Sequence, residues 1–295
     1  MYLCIVVEME KNMKSIGDCF ELNNGVRIPC IGFGTYKAAG NGAGVIEEAL
    51  RSGYRYLDTA AFYDNEEEIS EAVRASGIKR EELFLVSKVW KDDMGAKGTR
   101  AAFEESLRKL KTDYLDLYLI HWPRPDLETG DWKEILTETW KVMEELYREG
   151  RIRAAGVSNF MPHHLEVLFD AAELCPAVNQ IEFHPGYTQE FTVNYCKEKG
   201  ILVQAWSPLG RRRVLEHPLV LELSEKYHVS PAQLCIRYAL ERGVLPLPKA
   251  SSPERMKENQ DVFGFEISRE DMYRISSMPP AGWSGEHPDF ERVRF

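Results

Sequence analysis

Along the chain, short apolar runs alternate with longer stretches in which apolar residues recur every three or four positions. The short runs carry almost no charge until their last residue. They predict strands at Ile31–Thr35, Tyr54–Asp58, Phe84–Lys88, Leu115–His121, Ala154–Ser158, Ala177–Ile181, Leu202–Trp206 and Val244–Leu247. Continuous apolar runs of this kind suit parallel strands covered on both faces. The periodic stretches predict amphipathic helices at Val45–Arg51, Glu66–Ala75, Arg100–Leu110, Lys133–Arg148, His163–Ala172, Gln189–Lys199 and Pro231–Arg242. Pro162 and Pro231 stand where a first helical residue belongs, and Ser230 precedes the second as a cap. Gly53, Gly150, Gly200 and Gly243 close helices ahead of the next strand.

Eight strand-then-helix units imply a (β/α)8 TIM barrel rather than an open sheet. No linker or low-complexity tract divides the 295 residues, so residues 1–295 read as a single domain. Ahead of the first barrel strand, Cys19–Leu22 and Val26–Pro29 flank Asn23-Asn24-Gly25. Asn-Gly between strand-like runs predicts an N-terminal β-hairpin plugging the barrel bottom.

Composition narrows the partners. A net charge of −10 argues against nucleic acid or an anionic membrane as the main partner, though not against a local basic pocket for phosphate. No apolar run has the length of a membrane-spanning helix. The apolar start Met1–Val7 lacks a basic leader and turns acidic at Glu8, which argues against a signal peptide, and Met9 or Met13 reads as an alternative start. The six cysteines (Cys4, Cys19, Cys30, Cys175, Cys196 and Cys235) are scattered and read as reduced thiols, giving the expectation of a cytoplasmic protein without a disulfide frame or zinc site.

Gly40-Asn41-Gly42-Ala43-Gly44 invites a Rossmann reading. The spacing is G-x-G-x-G and lies several residues past the strand, whereas the nucleotide fingerprint needs G-x-G-x-x-G in the turn itself. It reads as a flexible loop leading into a helix.

The strand ends carry the chemistry. Asp58, Lys88 and His121 each end a predicted strand, and Tyr63 follows Asp58 on the next loop. Loops at the carboxyl ends of strands build the pocket of an α/β barrel. Taken singly, each residue has a plain structural reading: a buried Lys–Asp pair, a satisfied histidine, a packed tyrosine. Together they are the parts needed to protonate a carbonyl oxygen while hydride reaches its carbon. A free phenol titrates near 10, and a nearby ammonium is expected to lower that by roughly 1–3 units.

The segment Asp58-Thr59-Ala60-Ala61-Phe62-Tyr63-Asp64-Asn65-Glu66, with Leu119-Ile120-His121-Trp122-Pro123, Gly156-Val157-Ser158-Asn159-Phe160 and Leu247-Pro248-Lys249, resembles the aldo-keto reductase family. The resemblance runs from about Gly32 to Phe265, with the motifs in order and at matching separations. It implies an NADPH-dependent reductase of aldehydes and ketones. Tyr63 would be the general acid, Lys88 its electrostatic partner, Asp58 the holder of Lys88, and His121 the residue that angles the substrate oxygen. Members that reduce steroid double bonds carry glutamate in place of this histidine, so His121 implies a carbonyl substrate.

The resemblance also implies a cofactor path. Thr35 belongs to it. Ser158, Asn159 and Gln180 would bind the nicotinamide carboxamide, with Trp206 under the ring where tyrosine is frequent. Ser207, Leu209 and Gly210 would line the pyrophosphate. Lys249, Ser251, Ser252 and Arg255 would take the 2′-phosphate, and Glu258 and Asn259 the adenine, on a helix starting near Pro253. Ala250 departs from a usual serine, which leaves NAD(H) use open beside NADP(H). Arg211-Arg212-Arg213 reads either as a phosphate ligand or as a solvated basic turn. The loop from Gly210 to His217 is short beside members with a long strap, so an open cofactor groove is expected. Tyr36, Phe62, Trp90 and Trp122 would line the substrate pocket; Trp283 either folds over it or packs on the barrel wall. A monomer is expected. Two other readings stand beside the reductase. One is a weakly active NADP(H)-binding barrel with a regulatory or structural role. The other is a metal-dependent barrel hydrolase, for which Ile31-Gly32-Phe33-Gly34-Thr35 lacks the His-x-His ligands.

Overall fold

The computed structural model describes residues 13–37 and 44–294. Most of the glycine-rich run at 40–44, Cys4, and the apolar start with Met9 therefore lie outside the described residues. Strands β1 (Cys19–Glu21) and β2 (Arg27–Pro29) pair antiparallel. Their turn places Gly25 at φ 80°, a left-handed conformation that glycine adopts without strain. The side-chain amides of Asn23 and Asn24 donate to the carbonyls of Pro176 (3.0 Å) and Arg153 (2.9 Å), just ahead of two barrel strands. The hairpin thus caps the amino-terminal end of the barrel.

The barrel strands are β3 (Phe33–Gly34), β4 (Tyr56–Asp58), β5 (Phe84–Val89), β6 (Leu117–Ile120), β7 (Ala155–Ser158), β8 (Val178–Glu182), β9 (Leu202–Trp206) and β10 (Leu245–Leu247). They form one parallel sheet of eight strands in sequential order from β3 to β10. The ends meet: Gly32 N–H donates to Pro246 O (3.1 Å) and Gly34 N–H to Pro248 O (3.2 Å). This seam requires glycine, because a Cβ on Gly32 would stand 2.5 Å from a Leu247 methyl and 2.6 Å from the Tyr56 ring. All eight strands appear where the apolar runs predict them, within a residue or two at each end.

The helices are α1 (Gly44–Arg51), α2 (Glu66–Ser76), α3 (Ala96–Leu110), α4 (Trp132–Arg148), α5 (Pro162–Phe169), α6 (Glu190–Glu198), α7 (Pro218–Tyr227), α8 (Pro231–Glu241), α9 (Pro253–Gln260) and α10 (Arg269–Ser276). Seven match the periodicity, and α9 begins at Pro253 as expected. Helices α7 and α10 are additions. Ser230 and Gln233 form a capping box at α8. Gly53, Gly150, Gly200 and Gly243 all take positive φ. No described helix is long and apolar enough to cross a membrane, and the five described cysteines are free thiols.

Candidate active site

Alternation along β4 and β5 turns Tyr56, Asp58 and Lys88 into the barrel, all essentially buried. After β4 the chain makes a 3-10 turn at Ala61–Tyr63 that ends in Asp64 at φ 52°. Asn65 pins this turn: its amide donates to the Thr35 carbonyl (3.1 Å) and accepts from the Thr59 hydroxyl. Thr35 is thereby tied to the site, and its own hydroxyl donates to Asp58 O (2.9 Å).

Tyr63 is thus carried back over Lys88. The Lys88 ammonium donates to Asp58 Oδ1 (2.7 Å), to Thr59 O (2.8 Å) and, at 3.4 Å, to the Tyr63 hydroxyl. His121, at the end of β6, lies edge-on to the Tyr63 ring, with centroids 5.6 Å apart. Four side chains from three strand ends therefore meet in one place.

The electrostatics differ from the expectation for Tyr63. Burial, then the Asp58 carboxylate, then Tyr36 hold its phenol well above its ordinary range. The ring is half-exposed, but the hydroxyl is enclosed by protein. Lys88 makes its closer contacts to Asp58 and Thr59 and reaches the phenol at 3.4 Å. Burial lowers Lys88 itself, and Asp58 opposes that. Burial, then Lys88, pushes His121 well below the usual histidine range, so its ring is neutral. Its Nδ1 is buried and has no hydrogen-bond partner.

The mouth also stores backbone strain. Asn159 (φ 62°) and Ser207 (φ 51°), each just past a strand, sit in the left-handed region that non-glycine residues avoid. The Asn159 side chain is spoken for on both sides. Its amide donates to His121 O (2.9 Å) and Ser158 Oγ (3.2 Å), and its oxygen accepts from Trp206 Nε1 (2.9 Å).

The aldo/keto reductase family model matches residues 31–279. The chain belongs to the aldo-keto reductase family. It is 46% identical over 277 residues to a glyoxal reductase of Bacillus subtilis, covering 93% of this chain and 98% of that protein. Among solved structures, an aldo/keto reductase of Brucella melitensis superposes with a TM-score of 0.82 at 40% identity, covering 88% of this chain and 98% of that one. An aldo-keto reductase of Bombyx mori in complex with NADP superposes with a TM-score of 0.80 at 32% identity, covering 94% of each chain.

In this aldo-keto reductase barrel the expected cofactor residues fall along one arc. Gln180 has its nitrogen engaged by Asp58 Oδ2 (2.7 Å) and Gln204 Oε1 (3.0 Å), which leaves its oxygen for a ligand. The Ser158 hydroxyl donates to Gln180 O (2.8 Å). Trp206 keeps a half-exposed ring, followed by Ser207, Leu209 and Gly210 on the next loop. Beyond β10, Ser251 and Arg255 are exposed, Ser252 caps α9, Glu258 is half-buried and Asn259 buried. Lys249 donates to the Lys37 carbonyl across the seam, and Ala250 is buried in the core.

The arginine run divides. Arg213 donates to Trp283 O (2.7 Å), Arg211 lies 3.8 Å from Glu286 and 5.9 Å from the Trp206 ring, and Arg212 is exposed. The aromatic wall is built by Tyr36 (43% exposed) beside Tyr63, and Phe62 (49% exposed) stacked on Trp90 at 3.8 Å. Trp122 stands half-buried on the loop after β6. Trp283 stacks on Tyr187 at 5.9 Å and donates to Glu286 O, which places it with the tail beside the β8 loop.

Sequence reasoning missed Glu182 and Gln204. Glu182, at the end of β8, takes the backbone N–H (3.0 Å) and hydroxyl (2.7 Å) of Ser284 and so ties the tail to the barrel rim. A glutamate ending an apolar strand was the available signal, as an amide inside one was for Gln204.

Proposed function

We propose that the protein is an NADPH-dependent carbonyl reductase, acting as one barrel domain, in which Tyr63 gives the proton that turns a carbonyl oxygen into a hydroxyl. The observation that carries this reading is the Lys88 ammonium, locked on Asp58 and aimed at the Tyr63 oxygen. Because Lys88 donates to that oxygen, the phenol's own hydrogen is free to point into the pocket. The phenol is held neutral, as a donor must be before reaction. His121, neutral, keeps its proton on Nε2; this leaves only a lone pair at the orphaned Nδ1, a cheaper burial than an unpaired N–H. Tyr63 and His121 together receive and angle the carbonyl oxygen.

As that oxygen takes the proton, negative charge passes to the phenol, and only then does Lys88 exert its full pull. Such positioned proton transfer is worth on the order of 10²–10⁴ in rate. A bound nicotinamide dinucleotide supplies the hydride, because no side chain donates one.

Residues of this chain fit that group. The Gln180 oxygen is left over, Trp206 offers a flat apolar face, and α9 presents its amino-terminal amides beside Ser251, Ser252 and Arg255. Ser158, Asn159 and Gln180 would hold the carboxamide, and Ser207, Leu209 and Gly210 the pyrophosphate. Lys249 and Arg255 would hold the 2′-phosphate, with Glu258 and Asn259 at the adenine. With Ala250 in place of a hydroxyl, phosphate discrimination rests on Lys249 and Arg255. The half-exposed aromatics Tyr36, Phe62 and Trp90 suit small and aromatic aldehydes and ketones.

The test is loss of NADPH absorbance against a panel of aldehydes and ketones, with Tyr63→Phe beside the native protein. The variant is expected to lose on the order of 10²–10⁴ in turnover. Undiminished turnover would overturn the acid assignment. A native protein that binds NADPH yet reduces no carbonyl would return the chain to a binding role.

A further inference from the structure

We infer that Gln204 is a positioning residue for this reaction: acting through Gln180 and Asp58, it anchors the far end of a hydrogen-bond chain that reaches Tyr63. The inference rests on the reading that Tyr63 is the proton donor.

Gln204 lies in the middle of β9 and is fully buried. It is the register partner of Gln180 on β8. Its Oε1 accepts two hydrogen bonds, from the Tyr56 hydroxyl (3.0 Å) and from Gln180 Nε2 (3.0 Å). Gln180 Nε2 gives its other hydrogen to Asp58 Oδ2 (2.7 Å), while Asp58 Oδ1 holds Lys88 (2.7 Å), which in turn reaches Tyr63. The chain crosses the barrel interior with acceptors and donors alternating: Gln204 and Asp58 accept from both sides, Gln180 and Lys88 donate to both.

Gln204 supplies the second of the two acceptors that hold the Gln180 nitrogen. A side-chain amide is nearly symmetric in shape, and its orientation follows from what its neighbours can accept or give. Gln180 faces acceptors on two sides, so its nitrogen must turn inward and its oxygen outward, toward the pocket. Without the Gln204 oxygen, one Gln180 hydrogen and the Tyr56 hydroxyl lose their acceptor inside the buried barrel. The amide is then held by Asp58 alone, and its plane can tilt about that single bond.

Gln204 gains little else from being an amide. Its Nε2 is buried without a partner, a cost that an apolar side chain of the same length would not carry. The oxygen is therefore the part in use. Two consequences follow, since the Gln180 oxygen would be the group offered to a bound nicotinamide and the nitrogen steadies Asp58. Nicotinamide binding and proton donation should weaken together, while the carbonyl substrate's own contacts stay intact.

The experiment compares native protein, Gln204→Met, Gln204→Glu and Tyr63→Phe. Gln204→Met keeps length and volume and removes the acceptor. It is expected to weaken NADPH binding, read by quenching of tryptophan fluorescence, about tenfold, the loss of one hydrogen bond. Its kcat should fall by about the same factor, with KM for the aldehyde unchanged. Gln204→Glu restores an oxygen at that place and should bind NADPH within about threefold of native. If Gln204→Met does not fold, this variant still decides: a tenfold or greater loss of NADPH affinity in it would overturn the inference. So would native affinity and kcat in a folded Gln204→Met. Turnover surviving in Tyr63→Phe would instead overturn the reading on which the inference rests. An inactive Tyr63→Phe beside an unimpaired Gln204→Met would sink the inference alone.

Discussion

Two of the buried carboxylates, Asp116 at one end of the barrel and Asp58 at the other, are treated in opposite ways. At the foot, Asp116 precedes β6 and is fully enclosed. Leu85 N–H (2.9 Å), Arg80 (2.8 Å) and Arg153 (2.7 Å) satisfy it, and the two guanidinium groups reach outward to solvent. Arg80 also bonds the carbonyls of Leu83 and Tyr114, joining loop to loop. At the mouth, Asp58 has a lysine partner whose third donor reaches a phenol only at 3.4 Å. The neighbouring His121 Nδ1 and Gln204 Nε2 have no partner at all, and the backbone beside them is strained at Asn159 and Ser207. A structural ion pair is saturated and uses arginine, which cannot lose its proton. A reactive one keeps spare hydrogen-bonding capacity and uses lysine. At these two carboxylates, spare hydrogen-bonding capacity nearby is what separates the mouth from the foot.

The contrast can be broken most sharply at Lys88. Lys88→Met leaves Asp58 buried and unpaired, and is expected to cost about 3–5 kcal/mol of stability and roughly 10²-fold or more in turnover together. Chemical denaturation and steady-state rates on the same sample read both. Asp116→Ala should lower stability by an amount of the same order, about 3 kcal/mol, yet leave turnover per folded molecule within about twofold. A large catalytic loss there would erase the distinction between the two ends.

Acidity separates them next. His121 is held below the ordinary histidine range, first by burial and then by Lys88. Its unfolded form gains a proton below about pH 6.5 while the folded form does not, so stability present above that pH falls as the solution is acidified. Tyr63 works in the other direction, its phenol raised first by burial. Its contribution is complete below about pH 10 and is lost as pH climbs through the folded value. A thermal-melt series from pH 4 to 11 is expected to lose its alkaline decline in part with Tyr63→Phe and to keep it with Asp116→Ala. His164, driven down to about 4 chiefly by burial while Asp289 opposes, adds to the acid slope; His164→Gln should flatten that share. The smallest effect concerns the cofactor. Ala250→Ser should raise the preference for NADPH over NADH by roughly two- to tenfold, the worth of one hydroxyl contact, in paired kcat/KM measurements.

Much of this was legible in the chain. Strands buried on both faces announce themselves as uncharged runs, and a charge on the last residue, as at Asp58 and Lys88, marks the mouth. Two helices escaped. In α7 Val220 and Leu223 are the fully buried apolar residues, Leu219 and Tyr227 are half-buried and Leu221 faces out, so the stripe is hard to read. Helix α10 buries Ile275 and an aspartate, Asp271, which is held by Lys226, Tyr227 and Ser268 from outside the helix. No local pattern encodes such long-range ion pairing. The Tyr63 phenol stands above its ordinary range, where the sequence pointed below it, because burial comes first and the Asp58 charge second; the sequence places Lys88 nearby but does not show how deeply the hydroxyl is enclosed. The Gln204–Gln180–Asp58 chain depends on register between strands far apart in sequence, which periodicity does not specify.

The barrel closes through very little. Strand β3 has only two residues, and two glycine N–H groups and the Lys249–Lys37 contact span the join to β10. Amide exchange should therefore be fastest at that join, the shortest ladder in the cylinder. Thr35 lies on one side of it and Lys249 on the other, so a dinucleotide seated between them would act as a clasp. Its affinity would appear as added heat resistance of the whole cylinder, growing with the logarithm of its concentration.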